Sequence, residues 1–337
     1  HNSDKVETFC YYNNKIVDKF TQRLIKFSDH WRSIDGLSDE EAVNLIKKDK
    51  IDILVDLAGH TEKNRLLIFA HKAAPIQITY LGYPCTTGLS TIDYRFTDII
   101  TDPEGTSDKY YSEKLIRLPN GFLCYKGHKD VVSNSILPFK KNKYITFGSF
   151  NNFNKISPEV IVLWSKILQA IPQSKLILKT NNIYNNPNLY FDLFKNEKIN
   201  KKRIKIIDRI DNTNDHLKLY DMIDIGLDTF PYNGTTSTCE ALWMGVPVIT
   251  LLGTRHISRV SASILSSIDL SNFIANNKKE YVNLAIKISK DTNYLQFIRK
   301  NLRLRMLNSN LTNGQSFAKD VEKSYQKIWS KYVNQLI

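Results

Sequence analysis

Short apolar runs recur along this chain, and most give way to a turn and then to a segment of helical spacing. DILVDLA leads to the helical NRLLIFAHK, after which IQITYLG and YRFTDII follow as further strands. Later YITFGSF leads to PEVIVLWSKILQAI, KLILKT to PNLYFDLFKNEKI, and IKIID to DHLKLYDMI. DIGLDT, STCEALWMG, VPVITLL and SRVSASILSSI carry the rhythm to Ile268. Short apolar strands alternating with helices belong to parallel sheets, whose faces are covered by crossover helices. The class is therefore α/β. The rhythm lapses from about Asn120 to Lys143, where Gly, Pro, Lys and Asn mix as in an interdomain linker. A chain of 337 residues is long enough for the two βα-repeating halves this implies.

Local signals sharpen the outline. ETFCYY reads as an opening strand. KIVDKFTQRLIKF places Ile16, Phe20, Leu24 and Phe27 on one helical face. Ser38 and Glu41 form a capping box, and Pro158 stands in a helix's first turn, where its missing N–H costs nothing. NNIYNNPN reads as a surface loop. After Asn276 the chain is helical, ending in SFAKDVEKSYQKIWSKYVNQL. Phe317, Val321, Tyr325, Ile328 and Trp329 line one face of that last helix. Acidic residues share its polar face, which favours packing on the body of a domain over a membrane surface.

Composition excludes some classes. The formal charge of +13 is spread along the chain and rarely alternates with aromatics, so a solvated surface is expected and no nucleic acid. No window approaches the ~18 uninterrupted apolar residues of a membrane span, and the N-terminus lacks the layout of a signal peptide. Cys10, Cys85, Cys124 and Cys239 are scattered without metal-ligand spacing. A reducing, cytoplasmic setting is expected, with no structural metal.

In open parallel sheets ligands bind beyond the carboxyl ends of strands. After YITFGSF comes NNFNKIS, where Lys155 is either a point charge for a phosphate or an exposed turn residue. After DIGLDT comes FPYNGTTS. Gly234 permits close backbone approach, and Thr235, Thr236 and Ser237 open a helix whose N-terminus suits a diphosphate. Thr236 or Ser237 could equally cap that helix. Glu240, one turn inside, could receive a sugar hydroxyl or balance the dipole. In the first half, DILVDLA runs into Gly59, His60 and Thr61, and IQITYLG ends in the turn Gly82-Tyr83-Pro84. His60 is a candidate base or a surface residue. No DxD occurs, since Asp221, Asp224 and Asp228 are spaced too loosely, and no metal is expected there.

The stretches DILVDLAGHT, LLIFAHKAAPIQITYLGYPCTTGLSTIDYRFTD, ITFGSFNNFNKISPEVIVLWSKIL, LDTFPYNGTTSTCEALWMGVPVIT and SRVSASIL resemble the catalytic region of the protein O-linked N-acetylglucosamine transferases and the SPINDLY-type enzymes. The resemblance covers nearly the whole chain. It implies a GT-B fold of two Rossmann-like domains facing a cleft. The expected domains are 1–135 on the acceptor side, 136–314 for the nucleotide sugar, and 315–337 as a helix returning to the first. It implies inverting, metal-independent transfer from UDP-N-acetylglucosamine to Ser or Thr of a protein, with no cofactor. A SPINDLY-like use of GDP-fucose, or a nucleotide-sugar-binding fragment without turnover, are the alternatives.

By that resemblance Lys155 contacts the diphosphate and stabilises the leaving group, and Asn152 lies near the phosphates. His216 stacks by the nucleobase, Gly234, Thr235, Thr236 and Ser237 form the diphosphate loop, and Glu240 meets the ribose. Gly59, Thr61, Gly82, Tyr83 and Pro84 are cleft residues of the first domain. The family's region normally opens with a further strand and helix carrying a histidine, so this chain is expected to start within a longer protein. Tetratricopeptide repeats, common in the family, leave no 34-residue self-similarity here.

Overall fold

The structure is a computed structural model that describes residues 1–179 and 187–335. Apart from its last two residues, the surface loop expected at 181–188 lies outside the described residues, as does Thr180. The chain divides into two compact units, His1–Ile99 with Pro103–Phe122 and Gln315–Ile337, and Ile100–Asp102 with Leu123–Gly314.

The first unit runs β1 (Phe9–Tyr12), α1 (Lys19–Ile25), β2 (His30–Ser33), α2 (Asp39–Lys48), β3 (Ile53–Asp56), α3 (Leu66–Ala70), β4 (Ile76–Thr79), β5 (Tyr94–Thr97) and β6 (Lys114–Arg117). β1 pairs with β2, and β3-β4-β5-β6 form a second sheet, every pairing parallel. The Ser38 capping box is formed: Ser38 Oγ accepts from the Glu41 amide at 3.2 Å, and Glu41 accepts from the Ser38 amide at 2.7 Å. It fixes the start of α2, whose Ala42, Val43 and Ile46 enter the core.

Helix α1 departs from its spacing. Phe20 and Leu24 are 60% and 52% exposed, and Thr21 is the residue the helix buries. Polar contacts decide the orientation. The Asp18 carboxylate accepts from the Thr21 amide and hydroxyl at 2.8 and 2.9 Å, and the Thr21 hydroxyl meets the Tyr12 hydroxyl at 3.3 Å.

The second unit runs α4 (Pro138–Asn142), β7 (Thr146–Ser149), α5 (Pro158–Ala170), β8 (Lys175–Lys179), α6 (Pro187–Asn196), β9 (Ile204–Ile207), α7 (Thr213–Lys218), β10 (Ile225–Leu227), α8 (Thr236–Trp243), β11 (Val248–Leu251), α9 (Val260–Ser266), β12 (Ile274–Ala275), α10 (Lys278–Lys290) and α11 (Thr292–Leu307). Its sheet has the order β12-β11-β10-β7-β8-β9, again parallel. Read from its first strand, this is the doubly wound order 3-2-1-4-5-6, with the reversal between β7 and β10. The loops after those two strands therefore flank the place where such sheets bind ligands. Beneath them Trp164 donates through Nε1 to the Tyr281 hydroxyl at 3.0 Å, and Tyr281 donates to the Asp228 carbonyl at 2.9 Å.

The passage into the second unit falls at Phe122/Leu123, earlier than the expected 135/136. Backbone contacts explain it. The Tyr125 amide donates to the Leu311 carbonyl at 2.7 Å, and Trp243 Nε1 to the His128 carbonyl at 3.0 Å. Gly127 lies so close to the Trp243 ring that a Cβ would come within 2.3 Å of it. The last helix, α12 (Gly314–Val333), brings Phe317, Val321, Tyr325, Ile328 and Trp329 onto Ile76, Ile78, Phe96 and Leu118 of the first unit. No helix among the described residues is long and apolar enough to cross a membrane. Ile328→Ala should lower the stability of the first unit by about 2–5 kcal/mol, read by equilibrium denaturation.

Candidate functional site

In the second unit the chain after β7 turns through Asn151 and Asn152 into a single 3-10 turn ending at Lys155. The chain after β10 runs from Asp228 to Ser237. Buried Asp228 ties this second loop together. Its Oδ1 accepts from the Gly234 amide at 2.8 Å and the Thr229 amide at 2.9 Å, and its Oδ2 from the Thr250 hydroxyl at 2.7 Å. Burial pushes the carboxyl upward from its ordinary range, while these donors and the charge of Lys155 pull it back. Asp228, dismissed as a metal ligand, thus shapes the loop. Asp224 likewise accepts from the Phe139 and Thr146 amides. Among the described residues no cluster of His, Cys, Asp or Glu could hold a metal ion.

Lys155 crosses from one loop to the other. Its ammonium donates to the Asn233 carbonyl at 2.9 Å and sits 3.7 Å from the centre of the Tyr232 ring. Burial draws its pKa down, opposed by Asp228. Gly234 has no room for a side chain: a Cβ would lie 2.6 Å from the Ser237 and Thr238 hydroxyls and 2.9 Å from Asn151 Oδ1. Ser237 donates to Asn151 Oδ1 at 2.6 Å, joining the loops a second time. The N-cap of α8 is Thr235, at φ −113° and ψ −79°, and its side chain accepts nothing from the first turn. Neither Thr236 nor Ser237 is the cap, so the first-turn amides are without side-chain capping.

Further along, Lys179, His216, Glu240 and Tyr220 form a polar chain. Lys179 Nζ lies 2.9 Å from His216 Nδ1, and His216 Nε2 lies 3.1 Å from Glu240 Oε2. The Tyr220 hydroxyl lies between the Ser237 carbonyl at 3.2 Å and the same Oε2 at 3.4 Å. Glu240 Oε1 carries no hydrogen bond among the described residues. Asn152 is exposed and accepts from the Asn154 amide at 3.0 Å, capping the turn that carries Lys155. The structure thus gathers Lys155, Asn152, Gly234, Thr235, Thr236 and Ser237 around the two switch-point loops, and His216 with Glu240 beside them. Asn151, Lys179, Tyr220 and Tyr232 were missed. Asn151 and Tyr232 adjoin residues that were singled out, and Lys179 ends a strand that Lys175 begins, with three apolar residues between them.

The first unit has its own loop cluster. Gly59 adopts φ +56°, and a Cβ there would lie 2.3 Å from the Tyr83 Cβ. A Cβ on Gly82 would lie 2.2 Å from the Leu57 carbonyl, so both glycines are needed for the loops after β3 and β4 to touch. Asp56 accepts from the Ala58 and Gly59 amides at 3.0 Å. Arg95 of β5 donates to the Tyr83 and Cys85 carbonyls, both at 2.8 Å, and Glu113 accepts from the Thr86 hydroxyl and Thr87 amide at 2.7 Å. Pro84 stands between the two carbonyls Arg95 holds. Thr61 closes its turn by donating to the Ala58 carbonyl at 2.9 Å. His60 is exposed, with Nε2 at 2.8 Å from the Thr87 carbonyl. A carbonyl only accepts, so Nε2 is the protonated nitrogen and any basic role falls to Nδ1. The four cysteines are free, and Cys85 is exposed.

The sequence model of glycosyl transferase family 41 matches residues 1–137 and 131–321. The chain belongs to this family. A relative from Oryza sativa subsp. japonica, named a probable UDP-N-acetylglucosamine–peptide N-acetylglucosaminyltransferase SPINDLY, is 40% identical over 93% of this chain and 34% of its own length. One from Arabidopsis thaliana, with the same enzyme name and the designation SEC, is 31% identical over 98% of this chain and 34% of itself. The chain thus spans about a third of the curated relatives it matches. A solved structure of a mutant Thermobaculum terrenum O-GlcNAc transferase superposes with a TM-score of 0.91 at 33% identity, covering 98% of this chain and 63% of that one. Anabaena HepE in complex with UDP, at 12% identity and a TM-score of 0.57 over 96% of this chain and 92% of that one, shares the fold. The family 41 chain has the GT-B fold.

Asp228→Ala strands two buried amides and should cost at least about 1–3 kcal/mol. Asp228→Asn keeps an oxygen for both and should lose less. Equal losses on denaturation would show that charge, not acceptor geometry, holds the loop.

Proposed function

We propose that this chain carries the nucleotide-sugar half of a protein O-glycosyltransferase, moving N-acetylglucosamine from UDP-N-acetylglucosamine to Ser or Thr hydroxyls of a protein, in a cytoplasmic setting. The observation that carries the reading is the meeting of Lys155 with the Asn233–Ser237 loop at the switch point of the second unit's sheet. The names of the family 41 relatives support the donor and the protein acceptor.

An inverting transfer needs the hydroxyl in line with the anomeric carbon and a stabilised departing diphosphate. On this reading the α8 N-terminus, with uncapped amides, and the Lys155 ammonium meet that charge, and no metal or cofactor takes part. The Asn233 carbonyl and the Tyr232 ring hold the ammonium in place beforehand, so little reorganisation is needed as charge develops. Beyond the diphosphate, Glu240 Oε1, without a hydrogen bond among the described residues, suits a ribose hydroxyl, with the His216 ring beside it for the base.

Lys155→Ala should cut transfer by about 10²–10³ while the protein stays folded. Near-normal turnover of a radiolabelled sugar by that variant would sink the assignment. UDP should raise the melting temperature, because only a ligand of the folded state does so. Stabilisation by GDP instead would move the donor to GDP-fucose, and nucleotide binding without transfer would make the chain a binding module.

A further inference from the structure

Lys179 ends β8 and is 6% exposed, an unusual place for an ammonium. Burial draws its pKa down, with Glu240 pulling it back and Arg209 pushing further. Among the described residues its hydrogen-bond partner is not a carboxylate but Nδ1 of His216, at 2.9 Å. An ammonium carries only hydrogens, whereas an imidazole nitrogen can be bare or protonated. Across the same ring, Nε2 faces the Glu240 carboxylate at 3.1 Å.

The polarity of this chain decides the tautomer. A histidine whose Nδ1–H is given to a carbonyl or carboxylate leaves Nε2 bare. Here a bare Nε2 would set a lone pair against the lone pairs of Glu240. A cation on the Nδ1 side reverses the order: Lys179 donates to Nδ1, and the hydrogen sits on Nε2, where Glu240 accepts it. The Tyr220 hydroxyl, with a single hydrogen, lies 3.2 Å from the Ser237 carbonyl and 3.4 Å from the same Oε2. Oε2 is then taken by the His216 N–H, and Oε1, which carries no hydrogen bond among the described residues, is left for the nucleoside.

We propose that Lys179 is a positioning residue that fixes His216 as the Nε2–H tautomer and, through it, orients Glu240 as an acceptor for the nucleoside of the donor. The proposal rests on the donor-site reading above. Lys179 does not touch the diphosphate. It acts through the ring and the carboxylate.

The test joins two readouts on the full chain. Histidine ¹⁵N spectra, with His216 assigned by comparison with His216→Gln, should show Nδ1 bare and Nε2 protonated. In Lys179→Met the ring should become a mixture of tautomers, and affinity for UDP or GDP by calorimetry should fall about tenfold or more, the scale of one lost hydrogen bond to a charged group. Removing this cation leaves the Glu240 carboxylate with one charged neighbour fewer, so the melting temperature should fall, and the tautomer is the readout that a merely structural role would not move. Lys179→Arg retains a donor and should keep both tautomer and affinity, which guards against misfolding of the methionine variant. A protonated Nδ1 in the wild type, or unchanged affinity in Lys179→Met, would overturn the assignment. No binding of either nucleotide by the wild type would overturn the donor-site reading, and with it the role given to Lys179, whatever the tautomer.

Discussion

The second unit's candidate site hangs on one buried carboxylate. Asp228 takes the amides of Thr229 and Gly234 on one oxygen and the Thr250 hydroxyl of β11 on the other. That is enough to fold the chain back on itself directly after β10. A buried charge without such partners is prohibitive, so the turn and the carboxylate require each other. The turn in turn fixes the carbonyl of Asn233, and Lys155 is held against that carbonyl. Asn151 contributes the other tie, accepting from Ser237. Two loops from the two central strands thereby behave as one rigid surface.

Rigidity matters because of what such a surface is proposed to do. Charge that develops on a departing diphosphate is stabilised most by donors already in place. Lys155 has an acceptor carbonyl and an aromatic face to rest on, and neither is an anion that a phosphate would have to displace. Gly234 brings backbone and three side-chain oxygens closer than any other residue would allow. These are features of a site prepared before its ligand arrives, which is consistent with the membership of this chain in family 41.

Much of the fold was legible, for a definite reason. Apolar strands buried on both faces leave a strong signal, and β3, β4, β7, β8 and β10 lie within the runs that predicted them. The capping box of Ser38 and Glu41 was readable because it is local. The face of α1 was not, because a polar contact between Thr21 and Tyr12 outranks apolar spacing. The boundary near Phe122 escaped because the tie of Tyr125 to Leu311 spans most of the second unit's sequence. At the site, Lys155 and Gly234 could be picked out from their loops. Asp228 and Lys179 could not: Asp228 acts by folding its own loop onto its carboxylate, and Lys179 meets its partner His216 far along the chain.

The same contrast between sequence neighbours and structural partners separates three carboxylates of the second unit. Asp221, Asp224 and Asp228 are neighbours in sequence, spaced too loosely for a DxD motif. The structure disperses them: Asp221 accepts from the Asn134 amide, Asp224 from two backbone amides at the start of the sheet, and Asp228 from its own loop. Each acts as an acceptor for backbone amides, those of Thr146, Thr229 and Gly234 being buried. A carboxylate near a parallel sheet's end thus has two possible uses, binding a ligand or holding the loop that binds it. The count of backbone amides it satisfies separates them. Among the described residues Glu240 accepts only from side chains and has one oxygen without a hydrogen bond, and beside the switch-point loops that suits it to a ligand.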